Sequence, residues 1–175
     1  MMKVKDKEFV SYIEPERLAQ RIAELGNKID EDYAGKNPLF IAVLNGSFMF
    51  AADLLREVDT PSEISFMKLA SYSEMRSTGN VKEVIGLSEN IFNRHVIIIE
   101  DIVDTGNTMV HLHDVLEELG PASIEVASLL FKPEAYTKKI NIKYVGFDIP
   151  NKFVVGYGLD YDGYGRNLDA IYQLA

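Results

Sequence analysis

An α/β fold with a central, mostly parallel twisted sheet flanked by helices is the architecture this sequence predicts. Three observations predict it. Val96-Ile97-Ile98-Ile99 is a run of β-branched apolar residues without polar alternation, as a strand buried on both faces requires. A helical pattern follows it across a polar loop, with Met109, Leu112, Val115, Leu116 and Leu119 at helical spacing and Gly120-Pro121 as a stop. The same strand–turn–helix order occurs earlier, in 39–44, Asn45-Gly46-Ser47 and 48–57. Such units place helices on the faces of a parallel sheet and bring the carboxyl ends of the strands to one edge.

Taken in order, 15–32 reads as a surface helix. Leu18, Ile22, Leu25 and Ile29 mark its apolar face, and Pro15 suits a first turn. The strand at 39–44 is entered after Pro38. The next strand spans 63–70. Ser71 to Asn80 is polar and without periodicity, and 81–87 reads as a returning strand, so together they predict a flexible hairpin arm. A strand at 124–131 ends on Lys132 and Pro133, and 143–148 is a further extended segment.

At 175 residues the chain suits one domain, 1–175, with a well-filled core. A net charge of −9 argues against a nucleic-acid or anionic-membrane surface. The absence of cysteine excludes disulfides and thiolate zinc sites. The first residues lack the apolar core of a signal peptide, and no stretch is long and apolar enough to span a membrane, so a soluble cytoplasmic protein is expected.

The chemistry centres on Glu100-Asp101-Ile102-Val103-Asp104-Thr105-Gly106-Asn107-Thr108. Loop amides and a helix amino terminus converge there, as an anion site requires. Gly106 permits close backbone approach, and the Thr hydroxyls add donors. Two carboxylates beside a phosphate cradle would repel a bare polyanion. They suit sugar hydroxyls or a metal ion, so the pattern points to a phosphorylated sugar with magnesium. His95, His111 and His113 are read as structural; the latter two lie two apart on a helix and face different ways.

The Glu100–Thr108 segment resembles the phosphoribosyl pyrophosphate motif of type I phosphoribosyltransferases. Leu44-Asn45-Gly46-Ser47 resembles the first loop of the 6-oxopurine branch of that family. Pro150-Asn151-Lys152-Phe153-Val154-Val155-Gly156-Tyr157-Gly158-Leu159-Asp160-Tyr161, followed by Arg166, resembles its purine-binding hood. With the Ser71-Tyr72 pair and the strand-end Lys132, five motifs stand in the family's order. The resemblance implies the type I phosphoribosyltransferase fold, with a small hood formed mainly by 143–175, and a cis peptide joining Leu44 to Asn45. The family commonly has Lys at the position of Asn45.

What the resemblance implies for the reaction is transfer of the 5-phosphoribosyl group from phosphoribosyl pyrophosphate to hypoxanthine or guanine, with Mg2+ as cofactor and a homo-oligomer, dimer or tetramer, as the assembly. Asn45, Gly46, Ser47 and Arg166 are expected to meet pyrophosphate. Glu100 and Asp101 are expected to hold the ribose hydroxyls and, with Asp160, the metal. Thr105, Gly106, Asn107 and Thr108 would cradle the 5′-phosphate, and Asp104 would act as general base on the purine. Ser71 and Tyr72 would belong to a closing lid that excludes water. Lys132 would donate to the purine 6-oxo group, Phe153 would stack on the ring, the backbone of Val154 would meet its pyrimidine edge, and Lys152 would lie close by. An ammonium only donates, so Lys132 suits hypoxanthine or guanine and not the amino group of adenine. A xanthine-preferring transferase and a phosphoribosyl-pyrophosphate-sensing regulator are the alternatives. The regulator is expected to lose the hood or Asp104 and to gain a basic surface.

Overall fold

The computed structural model describes residues 1–69 and 83–175. A six-stranded sheet in the order β5-β4-β3-β6-β7-β8 forms the centre. Its strands are β3 (Leu39–Leu44), β4 (Glu63–Leu69), β5 (Glu83–Ile85), β6 (His95–Val103), β7 (Ser123–Phe131) and β8 (Tyr144–Asp148). All neighbours pair parallel except β5, which runs antiparallel to β4 at the edge.

The pleat sorts the apolar runs onto two faces. From β3 and β6, Phe40, Ala42, Ile97 and Ile99 enter one core cluster, while Leu39, Ile41, Val96 and Ile98 enter the other. This alternation is why these strands lack a polar face: helices cover both sides. On the first side lie α1 (Pro15–Tyr33), through Leu18, Ile22, Leu25 and Ile29, and α2 (Phe48–Arg56), through Phe50, Ala51 and Leu54. On the second lies α3 (Asn107–Glu117), through Met109, Leu112 and Leu116. Each fully buried Leu or Ile contributes about 1.5–3 kcal/mol of transfer free energy. A side chain at Gly26 would press on the Glu57 carbonyl at 2.6 Å, so this glycine sets the close approach of α1 to the end of α2.

A second, antiparallel sheet in the order β1-β2-β10-β9 stands beside the first. It comprises β1 (Met2–Val4), β2 (Lys7–Ile13), β9 (Val154–Val155) and β10 (Ile171–Leu174). The segment 143–175, expected to form most of the hood, divides between the two sheets. Tyr144–Asp148 pairs with β7 and belongs to the main sheet. Two strands of the small sheet come from the amino terminus, because β10 needs β2 to satisfy its outer edge, with Ile171 opposite Ile13. Val4, Phe9 and Val155 form its own small core.

Strand β6 also runs past the predicted 96–99. Its ladder with β7 continues through Glu100 opposite Ser128 to Val103 opposite Phe131, so both acids lie within the strand and not beyond it. The predicted loop 71–80, with Ser71 and Tyr72, lies outside the described residues. Among the described residues no helix is long and apolar enough to cross a membrane.

Candidate active site

The site lies where β3, β6 and β7 end and the small sheet begins. The Leu44–Asn45 peptide is cis, as the resemblance implied. Asn45 is exposed at the turn. Ser47 is fully buried, and its hydroxyl donates to the Val43 carbonyl at 2.6 Å, so this side chain is turned inward and engaged. Gly46 stands directly against Asp101: a Cβ there would overlap the Asp101 carboxylate. Gly158, at φ 100°, in turn packs on the Gly46 carbonyl, so the hood meets the first loop backbone to backbone.

Glu100 is buried. Burial first, then the neighbouring Asp101 charge, holds its carboxyl well above the ordinary carboxylate range. Asp101 is also raised by burial, opposed by its bonds to Glu100 and to the Ile102 amide, and by the Arg166 charge. This pair is a concentration of poorly compensated acidity. A cation or a set of hydroxyl donors could answer it.

Gly106 adopts φ 84° ahead of α3, with no side chain capping the helix. The first-turn amides therefore border a hollow of about 100 Å³ lined by Glu100, Ile102 and the run Val103 to Met109. A second hollow of about 250 Å³ adjoins it, lined by Asp101, Ile102, Asp104, Lys132, Phe153, Val154, Leu159 and Asp160. Ile102 and Asp104 border both. Lys132 is buried, and its Nζ lies 2.9 Å from Asp104 Oδ2. Its backbone N–H donates to the Val103 carbonyl, which ties the end of β7 to the end of β6. Phe153 is 42% exposed beside this space.

Asp160 and Arg166 face each other at 2.7 Å, and Arg166 also donates to the Gly158 carbonyl at 2.7 Å. The other Asp160 oxygen accepts the Gly163 amide. Lys152 is exposed on the turn before β9 and is not among the residues lining the second hollow. The backbone turns at Pro150–Lys152, where the Lys152 amide donates to the Pro150 carbonyl at 2.7 Å, and the Lys152 side chain stands in solvent. Ile102 and Leu159 line the hollows without having been singled out from sequence. Each sits inside a recognised motif, but an apolar residue between polar ones gives no chemical signal.

A strand-borne acid pair, a helix start behind a left-handed glycine and a lysine–aromatic pocket thus share one edge of the sheet. The family model of the phosphoribosyl transferase domain matches residues 11–162, and the chain belongs to that family. Within it the chain is similar to hypoxanthine-guanine phosphoribosyltransferases. That of Streptococcus thermophilus is 44% identical over 154 residues, 87% of this chain and 86% of the relative. The crystal structure of the Bacillus anthracis hypoxanthine-guanine phosphoribosyltransferase superposes with a TM-score of 0.90 at 37% identity, covering 97% of this chain and all of the other. Trypanosoma cruzi hypoxanthine phosphoribosyltransferase in complex with the product IMP superposes with a TM-score of 0.89 at 36% identity, covering 100% of this chain and 98% of that one.

Proposed function

We propose that this protein transfers the 5-phosphoribosyl group of phosphoribosyl pyrophosphate to hypoxanthine or guanine, forming IMP or GMP and releasing pyrophosphate. The observation that carries the reading is the pair of adjoining hollows with Asp104 between them. Between Asp104 and Met109 the smaller one offers loop amides, the Thr105 and Thr108 hydroxyls and a helix start, which suit the 5′-phosphate, with Glu100 at its border. The larger one offers an ammonium, a half-exposed aromatic ring and a strand edge, which suit a planar base with an acceptor oxygen.

The sugar lies between them, over Glu100 and Asp101. As the bond from the base nitrogen to the first ribose carbon forms, the bond from that carbon to the pyrophosphate oxygen breaks. Asp104 takes the proton released at the imidazole edge of the base. Most of the acceleration comes from holding two substrates in line and answering the charge that develops on sugar and leaving group. Gly46, Ser47 and Arg166 receive the pyrophosphate. Glu100 and Asp101, with Asp160 acting through water, would hold Mg2+. When bound, it neutralises charge on the leaving pyrophosphate. Ser71 and Tyr72 close over the substrates in this reading and exclude water. Lys152 remains a secondary contact that a closed hood would recruit.

A homo-oligomer is part of the reading. Phe48 on α2 and Ile64 and Phe66 on β4 are exposed apolar residues, and their burial against a second copy would explain them. Sedimentation of the purified protein gives the assembly mass.

The test is a spectrophotometric assay with Mg2+, phosphoribosyl pyrophosphate and one base at a time. Turnover of hypoxanthine, with or without guanine, is expected. Turnover of xanthine alone would keep the chemistry and move the base. Tight phosphoribosyl pyrophosphate binding without turnover of any base would overturn the reading.

A further inference from the structure

The amino-terminal hairpin tip and the turn that follows Asp160 touch each other at every residue of a short stretch. Lys5 pairs with Asp162, and its Nζ lies 5.3 Å from the centre of the Tyr164 ring. Asp6 Oδ1 accepts the Tyr161 hydroxyl at 2.8 Å. Lys7 Nζ stands 4.8 Å from the Tyr161 ring centre and 5.8 Å from that of Phe153, both within cation–π reach. The two partners are built to meet. Asp162-Gly163 has φ 51° and 84°, an Asx-Gly tip bridged by Tyr161 and Tyr164, and Lys5 at φ 53° turns the β1–β2 hairpin.

Beneath these tips lie three rings. Phe9, fully buried on β2, is 6.2 Å from Phe153 and 6.4 Å from Tyr161. Tyr161 meets Phe153 edge-on, at 5.8 Å and 80°. Phe153 itself is 42% exposed beside the base-side hollow. A half-exposed ring has two side-chain rotations to lose when a planar ligand lies on it. Packing that removes this freedom beforehand is recovered as affinity.

We propose that Tyr161, held by the Lys5-Asp6-Lys7 tip, is a positioning residue for the purine: together with Phe9 it sets the place and plane of the Phe153 ring. The inference rests on the functional reading above and deepens it by making the amino terminus part of the base site. Tyr161 does not line the hollow, so it acts through Phe153. It also adjoins Asp160 in the chain. A general loosening of this turn would therefore disturb the pyrophosphate side as well as the base side, and that separates the two explanations.

The experiment is steady-state kinetics on the full chain for wild type, Tyr161→Leu, Tyr161→Phe and Asp6→Ala, each with a thermal melt. Tyr161→Leu should raise KM for hypoxanthine about five-fold, the scale of one aromatic pair, with kcat and KM for phosphoribosyl pyrophosphate within about two-fold of wild type. Tyr161→Phe keeps the ring and should restore KM for hypoxanthine to within about two-fold. Asp6→Ala lies on an exposed tip and cannot empty the core, so it answers the question if Tyr161→Leu does not fold. It should raise KM for hypoxanthine about two- to three-fold and leave that for phosphoribosyl pyrophosphate unchanged. Equal rises in both KM values, or an unchanged KM for hypoxanthine in Tyr161→Leu and Asp6→Ala, would overturn the inference. Wild type inactive with every base would overturn the functional reading, and this inference with it.

Discussion

Lys132 Nζ lies 2.9 Å from Asp104 Oδ2, so the cation assigned to the base and the acid assigned to the proton are already partners. Lys132 is buried at the end of β7, whereas the Asp104 side chain is 46% exposed between the two hollows. In the proposed reaction an arriving 6-oxopurine would take a share of the ammonium and leave the carboxylate free toward the imidazole edge. Asp104→Asn keeps an acceptor for Lys132 but cannot take a proton. It should lower kcat about 10²- to 10⁴-fold with little change in melting temperature. Asp104→Ala also strands a buried ammonium and should lose stability by about 1–3 kcal/mol, read in denaturant melts. Equal kcat for Asp104→Asn and wild type would remove Asp104 from proton transfer.

Gly46→Ala tests the contact between first loop and acidic strand. The added methyl would overlap the Asp101 carboxylate, and the Gly158 backbone closes the other side. Neither neighbour is the free end of a long side chain. The substitution should cost about 1–3 kcal/mol of stability and most of the turnover. Normal activity in Gly46→Ala would show that the loop has room to move.

Burial of the Glu100 carboxyl carries a stability penalty once the group is ionised. The carboxyl is raised by burial first and by Asp101 second. Below the unfolded carboxylate value of 4.5 both folded and unfolded chains are protonated, and no penalty exists. As pH rises from there to the raised folded value the unfolded chain loses its proton first, so folded stability is lost across that window and stays lower above it. Glu100→Gln should therefore melt higher than wild type at neutral pH, with the gap closing as pH falls toward 4.5. Mg2+ with phosphoribosyl pyrophosphate should raise the melting temperature of wild type and do so less for the variant. A gap that does not narrow in acid would refute this account.

Asp32 gives the opposite sign, remote from the site. Its carboxyl accepts the Tyr144 hydroxyl at 2.7 Å, with Lys28 at 3.1 Å and Lys143 at 3.3 Å. These hold it down at about 2, the Tyr144 bond contributing most and burial opposing. A lowered folded value means that the stabilisation is complete above the ordinary 3.8 and is lost as pH falls through about 2. Asp32→Asn should melt below wild type at neutral pH, with the difference shrinking across that acid window and with kcat unchanged. A difference that persists at the acid end would point to packing and not charge.

The local parts of this protein were determined by sequence alone. The isoleucine run of β6 has one stable use, a strand covered on both faces, and Asp104 to Thr108 can only be a tight polar turn into a helix. The strand–turn–helix order then sent both candidate loops to one edge of the sheet. Contacts between distant parts of the chain were decided by tertiary structure. Nothing near Ser47 says that its hydroxyl turns inward to Val43, or near Glu100 that the β6–β7 ladder runs on past it. Nothing in Met2–Ile13 announces that its strands complete the small sheet, because a short strand reveals its partner only when β10 lies beside it. The ion pair of Lys132 and Asp104 and the three rings behind Phe153 have the same origin: residue type states what a side chain can do, and the packed chain decides which neighbour it does it to.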